Sequence, residues 1–146
     1  VEHLLESEPG VYSAVSGYMG GSVKNPSYEA ICTGKTGHAE AVRVRFDPTK
    51  TSFEKLARLF FEIHDPTQLN RQGPDKGPQY RSAVFVTDKA QEKTTMELIN
   101  ILKKKGLKVV TQVADAGVFW PAETYHQDYY RRTGKAPYCH SHTPRF

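Results

Sequence analysis

The stretch "GHAEAVRVRF", residues 37–46, has the alternating pattern of a half-buried β-strand. In an extended chain the apolar side chains of its second half share one face with Glu40, whereas Arg43 and Arg45 lie on the opposite, solvated face. The pattern therefore predicts a strand with one dry face that begins with a carboxylate. A carboxylate at such a position needs either a structural or a chemical explanation.

The chain before this strand divides into a helix, a strand and a loop. Residues 1–8 have apolar side chains at helical spacing and are stopped by Pro9-Gly10, but no N-cap precedes them, so we expect a further segment before Val1. Residues 11–18, "VYSAVSGY", are predicted to form a strand, followed by a loop rich in turn formers. "PSYEAI" then predicts a short helix with Pro26 at its first position.

The chain after this strand alternates between helices and strands without βαβ regularity. Thr51 and Glu54 predict a capping box before an amphipathic helix, and the polar loop 65–81 is long enough to suggest a functional role. The remaining predicted elements are a strand at 82–86, a helix from about 88 to 105, a strand at 108–114 and a short helix near 122–131. We predict one α+β domain over residues 1–146, a two-layer sandwich in which helices pack on a mixed, mostly antiparallel sheet.

Composition excludes several classes of protein. The 146 residues are 38% hydrophobic and 25% charged, as in ordinary soluble domains, and no apolar run is long enough to span a membrane. The net charge of +4 is scattered, with basic residues near the ends of predicted helices, where they complement the helix dipole. Two cysteines make no disulfide framework, so we expect a protein of the cytoplasm. Because the charge is scattered and no apolar run is long, we expect contact with neither nucleic acid nor membrane. We also expect a monomer.

Glu40 has two interpretations. As a structural residue it is a strand-end carboxylate that reaches solvent or pairs with a lysine. As a functional residue it is a partly buried carboxyl, whose pKa is raised by desolvation, so that it serves as a general acid near neutral pH. His38 precedes it on the same face and is a candidate proton partner.

Other polar candidates lie in the loops. Asp65, Asp75 and Tyr80 belong to the long loop, and Tyr28 to the earlier one. Loop tyrosines often pack as lids on a core. Alternatively, their hydroxyls hold a polar substrate oxygen while their rings line an apolar pocket.

The two cysteines have different surroundings. We expect Cys32 to be a small buried hydrophobe, and Cys139 to lie in a mobile basic tail where a thiolate forms more easily. Zinc is the competing hypothesis, because His126, His140 and His142 are near Cys139 in the sequence. Their spacing matches no standard zinc pattern, so we expect no metal.

Five stretches together resemble the peptide methionine sulfoxide reductase A family, and the resemblance covers nearly the whole chain. They are "SGYMGG", "NPSYEAICTGKTGHAEAVRVRFDP", "HDPTQLNRQGPDKGPQYRSAVF", "AETYHQDYY" and "PYCH". The resemblance implies a reductase for the S epimer of methionine sulfoxide, free or in proteins. It implies no cofactor and thioredoxin as the external reductant.

The resemblance also implies roles for individual residues. A cysteine thiolate attacks the sulfoxide sulfur while Glu40 protonates the oxygen. Substrate contacts fall on Tyr28, Asp75, Tyr80, His126 and Tyr129. The resulting sulfenic acid is resolved by Cys139, which forms the disulfide that thioredoxin reduces.

The sequence departs from the family pattern at both ends. The family's nucleophile lies in a Gly-Cys-Phe-Trp motif that would fall just before Val1, and neither Cys32 nor Cys139 occupies that place. We expect the 146 residues alone to be inactive and the missing segment to restore activity. The tail "HSHTPRF" has no further cysteine, which predicts a single resolving step, and it also resembles tails that continue into a second reductase domain.

Two other functions remain open. A domain that binds oxidised methionine without reducing it would keep Glu40 and the substrate contacts but not the nucleophile. A structural zinc module would contain stoichiometric metal. The residues preceding Val1 discriminate the enzyme from the binding domain.

Overall fold

The computed structural model describes residues 2–122 and 143–146, without the side chains of Glu2 and Tyr28. The helix predicted near 122–131 lies almost entirely outside these residues. The described elements, in chain order, are α1 (Glu2–Glu6), β1 (Val11–Met19), α2 (Tyr28–Cys32), β2 (Ala39–Phe46), α3 (Phe53–Ile63), β3 (Arg71–Gln72), β4 (Asp75–Lys76), a 3-10 helix (Pro78–Tyr80), β5 (Ala83–Val86), α4 (Lys89–Lys104), β6 (Gln112–Asp115) and β7 (Trp120–Pro121).

The strands pair in three groups. β1 is central in an antiparallel sheet of order β2-β1-β7, in which Tyr18 stands opposite Glu40. β3 and β4 form a small antiparallel hairpin, and β5 pairs with β6 in parallel. The α+β class is confirmed, and antiparallel pairing dominates as predicted. In the described residues the strands are divided among three sheets instead of forming the one sheet that was expected.

Two helix starts differ from the sequence prediction. Ser52, not Thr51, caps α3, because its extended backbone lets the Oγ accept the Lys55 N–H at 3.1 Å. Thr51 instead points inward, and its hydroxyl has no hydrogen-bond partner among the described residues. In the same way Ser27 caps α2, so Pro26 precedes the cap and is not the first helical residue.

The core lies between α3 and α4. Ala57 and Phe61 of α3 pack against buried side chains of α4, with partly buried residues of β5 and β6 around them. The C-terminal residues 143–146 dock on α3, where the ring of Phe146 meets Phe61 edge-on at 6.4 Å and Arg145 Nε donates to the Phe61 carbonyl at 2.7 Å.

Phe61→Ala is expected to lower the free energy of unfolding by about 3–5 kcal/mol, because Phe61 is fully buried and its removal leaves a cavity in this core. Urea unfolding measures the change. Leu69→Ala is the control, since Leu69 is 68% exposed and its truncation should cost less than about 0.5 kcal/mol. Similar losses for both variants would contradict the assignment of the core.

Candidate active site

A cavity of about 840 Å³ extends past α1, β1, β2, α3, the long loop and β5. Its polar lining includes Glu40, Asp75 and Tyr80, three of the residues selected from the sequence. It also includes Tyr18, which sequence reasoning did not select. Tyr18 is 3% exposed and stands directly opposite Glu40, and cross-strand neighbours of this kind have their Cβ atoms about 5 Å apart on one face. Only the register of β1 against β2 identifies it.

The two faces of β2 differ as the alternation predicts. Val42, Val44 and Phe46 are half-buried and line the cavity, while Arg43 and Arg45 are exposed, although Arg43 also borders the cavity. Glu40 lies on the cavity side but is not dry. The residue as a whole is exposed, but enough protein surrounds its carboxyl to disfavour the charged form.

The carboxyl of Glu40 has an altered acidity. Burial against protein, and secondarily the negative charge of Asp75, raise its pKa from 4.5 to about 7. Both causes disfavour the carboxylate. A substantial fraction of Glu40 is therefore protonated at neutral pH, which is the state that a general acid needs.

Tyr80 provides a hydroxyl in the same cavity. Burial raises the pKa of its phenol above 10.0, and the charges of Glu40, Asp75 and Cys32 raise it further. The phenol therefore stays protonated and can donate a hydrogen bond to a substrate oxygen. Tyr28 is the first residue of α2, and its side chain lies outside the described structure.

The long loop is not irregular throughout, since it contains β3, β4 and the 3-10 helix. Asp65, a candidate from the sequence, organises it and does not line the cavity. Its carboxylate accepts the Thr67 N–H at 2.9 Å and the Thr67 hydroxyl at 2.5 Å, and these bonds lower its pKa although burial opposes them. Its backbone exchanges two hydrogen bonds with the side chain of Gln72, whose strand partner is Asp75. Asp65 thus helps to place Asp75.

His38 is not a proton partner of Glu40. Its Nδ1 accepts the Gly21 N–H at 3.0 Å, and its Nε2 donates to the Val23 carbonyl at 2.7 Å. Both ring nitrogens are therefore used in joining the loop after β1 to the start of β2. The prediction that His38 is a proton partner of Glu40 is wrong, because backbone groups of the loop after β1 occupy both nitrogens of its ring.

Cys32 is exposed, so the prediction of a buried hydrophobe is wrong. It is the last residue of a five-residue surface helix, in which the preceding Ile31 takes the buried position at 1% exposure. It interacts electrostatically with Tyr80, whose pKa it helps to raise.

The remaining sequence candidates lie outside the described residues: His126, Tyr129, Cys139, His140 and His142. Within residues 2–122 and 143–146, no three His, Cys, Asp or Glu side chains are grouped as a metal site would require. None of the helices in that part of the chain is both long and apolar enough to cross a bilayer.

His64 also lines the cavity and is fully engaged. Its Nδ1–H donates to the Phe60 carbonyl at 2.6 Å, so its Nε2 accepts from the Ser82 hydroxyl at 2.7 Å. Burial is the main cause that lowers its pKa from 6.5 to about 4. The imidazole is therefore neutral near pH 7 and acts as a link between α3 and the segment before β5.

The free energy of unfolding is expected to fall by up to about 3 kcal/mol between pH 6.5 and 4 because of His64. The unfolded chain takes up the imidazole proton near its ordinary pKa, whereas the folded chain resists it down to about 4, so acid favours unfolding. Denaturant titrations of the native chain and His64→Asn from pH 7 to 4 measure this, since only the native chain should lose that increment. Parallel stability curves would contradict the prediction.

A protonatable carboxyl and a phenol line the same open cavity on an α+β scaffold, and enzymes use groups of this kind for proton transfer. The profile of the family "Peptide methionine sulfoxide reductase" matches residues 1–145. The peptide methionine sulfoxide reductase MsrA of Nautilia profundicola is 50% identical over 139 residues, which are 95% of this chain and 80% of that protein.

Solved structures agree with this relationship. Mxr1 from Saccharomyces cerevisiae in reduced form has a TM-score of 0.90 at 32% identity, over 99% of this chain and 85% of that one. Methionine sulfoxide reductase A of Corynebacterium diphtheriae has a TM-score of 0.82 at 34% identity, over 94% of this chain and 72% of that one. The chain belongs to the peptide methionine sulfoxide reductase family, oxidoreductases that reduce methionine sulfoxide.

Proposed function

We propose that the protein reduces the S epimer of methionine sulfoxide, free or in proteins, through sulfenic acid and disulfide intermediates that thioredoxin regenerates. The observation that carries this proposal is the Glu40 carboxyl, whose pKa of about 7 keeps it partly protonated in a cavity shared with Asp75 and Tyr80. A sulfoxide oxygen becomes a good leaving group only when it is protonated. An acid at this place therefore meets the main chemical demand of the reaction.

Glu40, Tyr80 and Asp75 would divide the work of the first step. Tyr80 donates a hydrogen bond to the sulfoxide oxygen and Glu40 gives it a proton, while Asp75 holds the pKa of Glu40 up and faces a polar group of the substrate. Tyr28, His126 and Tyr129 complete the substrate site in this proposal. These three residues are assigned from their positions in the sequence motifs.

The nucleophile in this proposal is a cysteine immediately before Val1, in a Gly-Cys-Phe-Trp segment. The position of α1 supports this, because His3, Leu5 and Glu6 line the same cavity as Glu40. The proposal therefore places the nucleophile on the α1 side of this cavity. The thiolate attacks the sulfoxide sulfur as the proton reaches the oxygen. The S–O bond then breaks and the hydroxyl passes to the cysteine sulfur, so that the cysteine becomes a sulfenic acid and the sulfoxide, having gained two electrons, leaves as methionine.

Cys139 would close the cycle. Its thiol attacks the sulfenic sulfur, forms a disulfide and releases water, and a thioredoxin dithiol then reduces the disulfide. A structure of Mxr1 from Saccharomyces cerevisiae in complex with Trx2 supports thioredoxin as the partner. In this proposal the protein acts as a monomer in a reducing cytoplasm and needs no bound cofactor.

The test is the reduction of each methionine sulfoxide epimer by the chain extended with Gly-Cys-Phe-Trp before Val1. We expect thioredoxin-dependent formation of methionine from the S epimer and not from the R epimer. The matched control reads Gly-Ser-Phe-Trp in the same place and should bind the sulfoxide without reducing it. If the cysteine form also binds without reducing, the protein is a domain that recognises oxidised methionine, and the proposal fails.

A further inference from the structure

Arg81 joins three separate parts of the chain through one guanidinium. Its Nη1 donates to the Pro78 carbonyl at 2.9 Å, its Nη2 to the Gly37 carbonyl at 3.0 Å, and its Nε to Gln112 Oε1 at 2.9 Å. Pro78 begins the 3-10 helix that ends at Tyr80, and Gly37 lies three residues before Glu40. The two carbonyls therefore belong to the two segments that carry the acid and the phenol.

The segment that begins β2 is already fixed on its other side. The Ser22 N–H donates to the Thr36 carbonyl at 3.2 Å, and a Cβ on Gly21 would lie 2.4 Å from both the Thr36 oxygen and the His38 nitrogen. The loop after β1 and the start of β2 thus pack backbone against backbone. Gly37 is held from this side by the loop and by Arg81 from the other.

The guanidinium itself is confined. Gly20 has φ +92°, and a Cβ there would lie 3.2 Å from Arg81 Nη2 and 2.8 Å from Phe85 Cζ. Arg81 is half-buried, and it lines the cavity beside Glu40 and Tyr80. The planar fork of a guanidinium can donate to two acceptors in a fixed geometry, which a single ammonium cannot do.

We propose that Arg81 is a positioning residue for the reduction site, whose guanidinium sets the separation of Glu40 and Tyr80 by bridging the carbonyls of Gly37 and Pro78. This inference rests on the roles proposed above for Glu40 and Tyr80. Without the bridge, the segment of the 3-10 helix loses its hydrogen bond to the Gly37 carbonyl and can move away from the start of β2. Water then enters between the carboxyl and the phenol, and the two groups no longer meet one sulfoxide oxygen together.

The test compares Arg81→Lys and Arg81→Gln with the control Gln112→Ala. Lysine keeps the charge and glutamine does not, but both lose the two-point bridge. Gln112→Ala removes only the Nε contact to β6 and leaves both carbonyl bonds in place. Carbon-13 NMR of the 146-residue chain measures the pKa of Glu40, and thermal unfolding reports the stability of each variant.

Arg81→Lys, which keeps the positive charge, is expected to lower the pKa of Glu40 by about one unit, because water replaces protein around the carboxyl. In Arg81→Gln the lost positive charge raises the pKa and offsets part of that fall. In the chain extended with Gly-Cys-Phe-Trp, kcat should fall by about 10–100-fold with a smaller change in KM, and the pH at which the rate declines should move down with the pKa. Gln112→Ala should change neither quantity.

Three outcomes would overturn the proposal. The first is an unchanged pKa of Glu40 in a folded Arg81→Lys variant. The second is full activity in Arg81→Lys with loss only in Arg81→Gln, which would make charge and not geometry the cause. The third is an equal shift in Gln112→Ala. Because the pKa is measured without turnover, it stays informative even if Glu40 proves not to be the acid.

Discussion

Glu40→Gln is expected to slow sulfoxide reduction by about 10²–10⁴-fold in the chain extended with Gly-Cys-Phe-Trp before Val1. Glutamine keeps the size and the hydrogen-bonding reach of the side chain but has no proton to give to the oxygen. Single-turnover formation of methionine, with no thioredoxin present, measures this step alone. Near-normal rates would exclude Glu40 as the acid.

Glu54→Gln is the matched control for this substitution. Glu54 lies in the first turn of α3, where it is exposed and pairs with Arg58 at 3.7 Å. The substitution Glu54→Gln makes the same change of charge away from the cavity and should leave the rate unchanged. A comparable loss in both variants would point to net charge or folding as the cause.

The rate should also report the pKa of Glu40. Because the protonated form is the active one and its pKa is about 7, the rate is expected to decline above pH 7, by about tenfold per pH unit well beyond it. Ionisation of the attacking thiol acts in the opposite direction, since it favours the rate as pH rises. In Glu40→Gln the decline of the rate above pH 7 should vanish, while the rise that is due to the thiol remains. If the decline persists in this variant, it belongs to another group.

Cys139→Ser is expected to abolish thioredoxin-driven turnover while one equivalent of methionine still forms. The serine hydroxyl cannot attack the sulfenic sulfur to form a disulfide, so the oxidised nucleophile accumulates as sulfenic acid. Rapid-quench measurement of methionine and trapping of the sulfenic acid with dimedone follow the two events separately.

Cys32→Ser is the control for the resolving cysteine. Cys32 is exposed and neighbours Tyr80, so it tests whether any nearby thiol can resolve the intermediate. Turnover should continue in Cys32→Ser. Undiminished steady-state turnover in Cys139→Ser would remove Cys139 from the resolving role, and loss of turnover in Cys32→Ser alone would transfer that role to Cys32.

Local sequence patterns predict a helix or strand reliably where the preferences of neighbouring side chains agree. The alternation in residues 39–46 matches β2, and α4 (Lys89–Lys104) agrees within one residue at each end with the helix predicted from about 88 to 105. They were less reliable where two similar residues compete, as Thr51 and Ser52 do for the cap of α3. The strand predicted at 108–114 is shorter in the structure, where β6 begins at Gln112, because β-propensity alone does not say where a partner strand is available.

The sequence by itself determined the α+β class, the family resemblance and the selection of Glu40, Asp75 and Tyr80, because these depend on local periodicity and on motifs that are read along the chain. Only the tertiary structure decided that Glu40 has a pKa of about 7, that Tyr18 stands opposite it, that His38 is engaged elsewhere and that Arg81 bridges two site segments. The physical reason is distance along the chain. Desolvation, charge coupling and hydrogen bonding act between groups that are up to tens of residues apart, and their strength depends on positions that only folding creates.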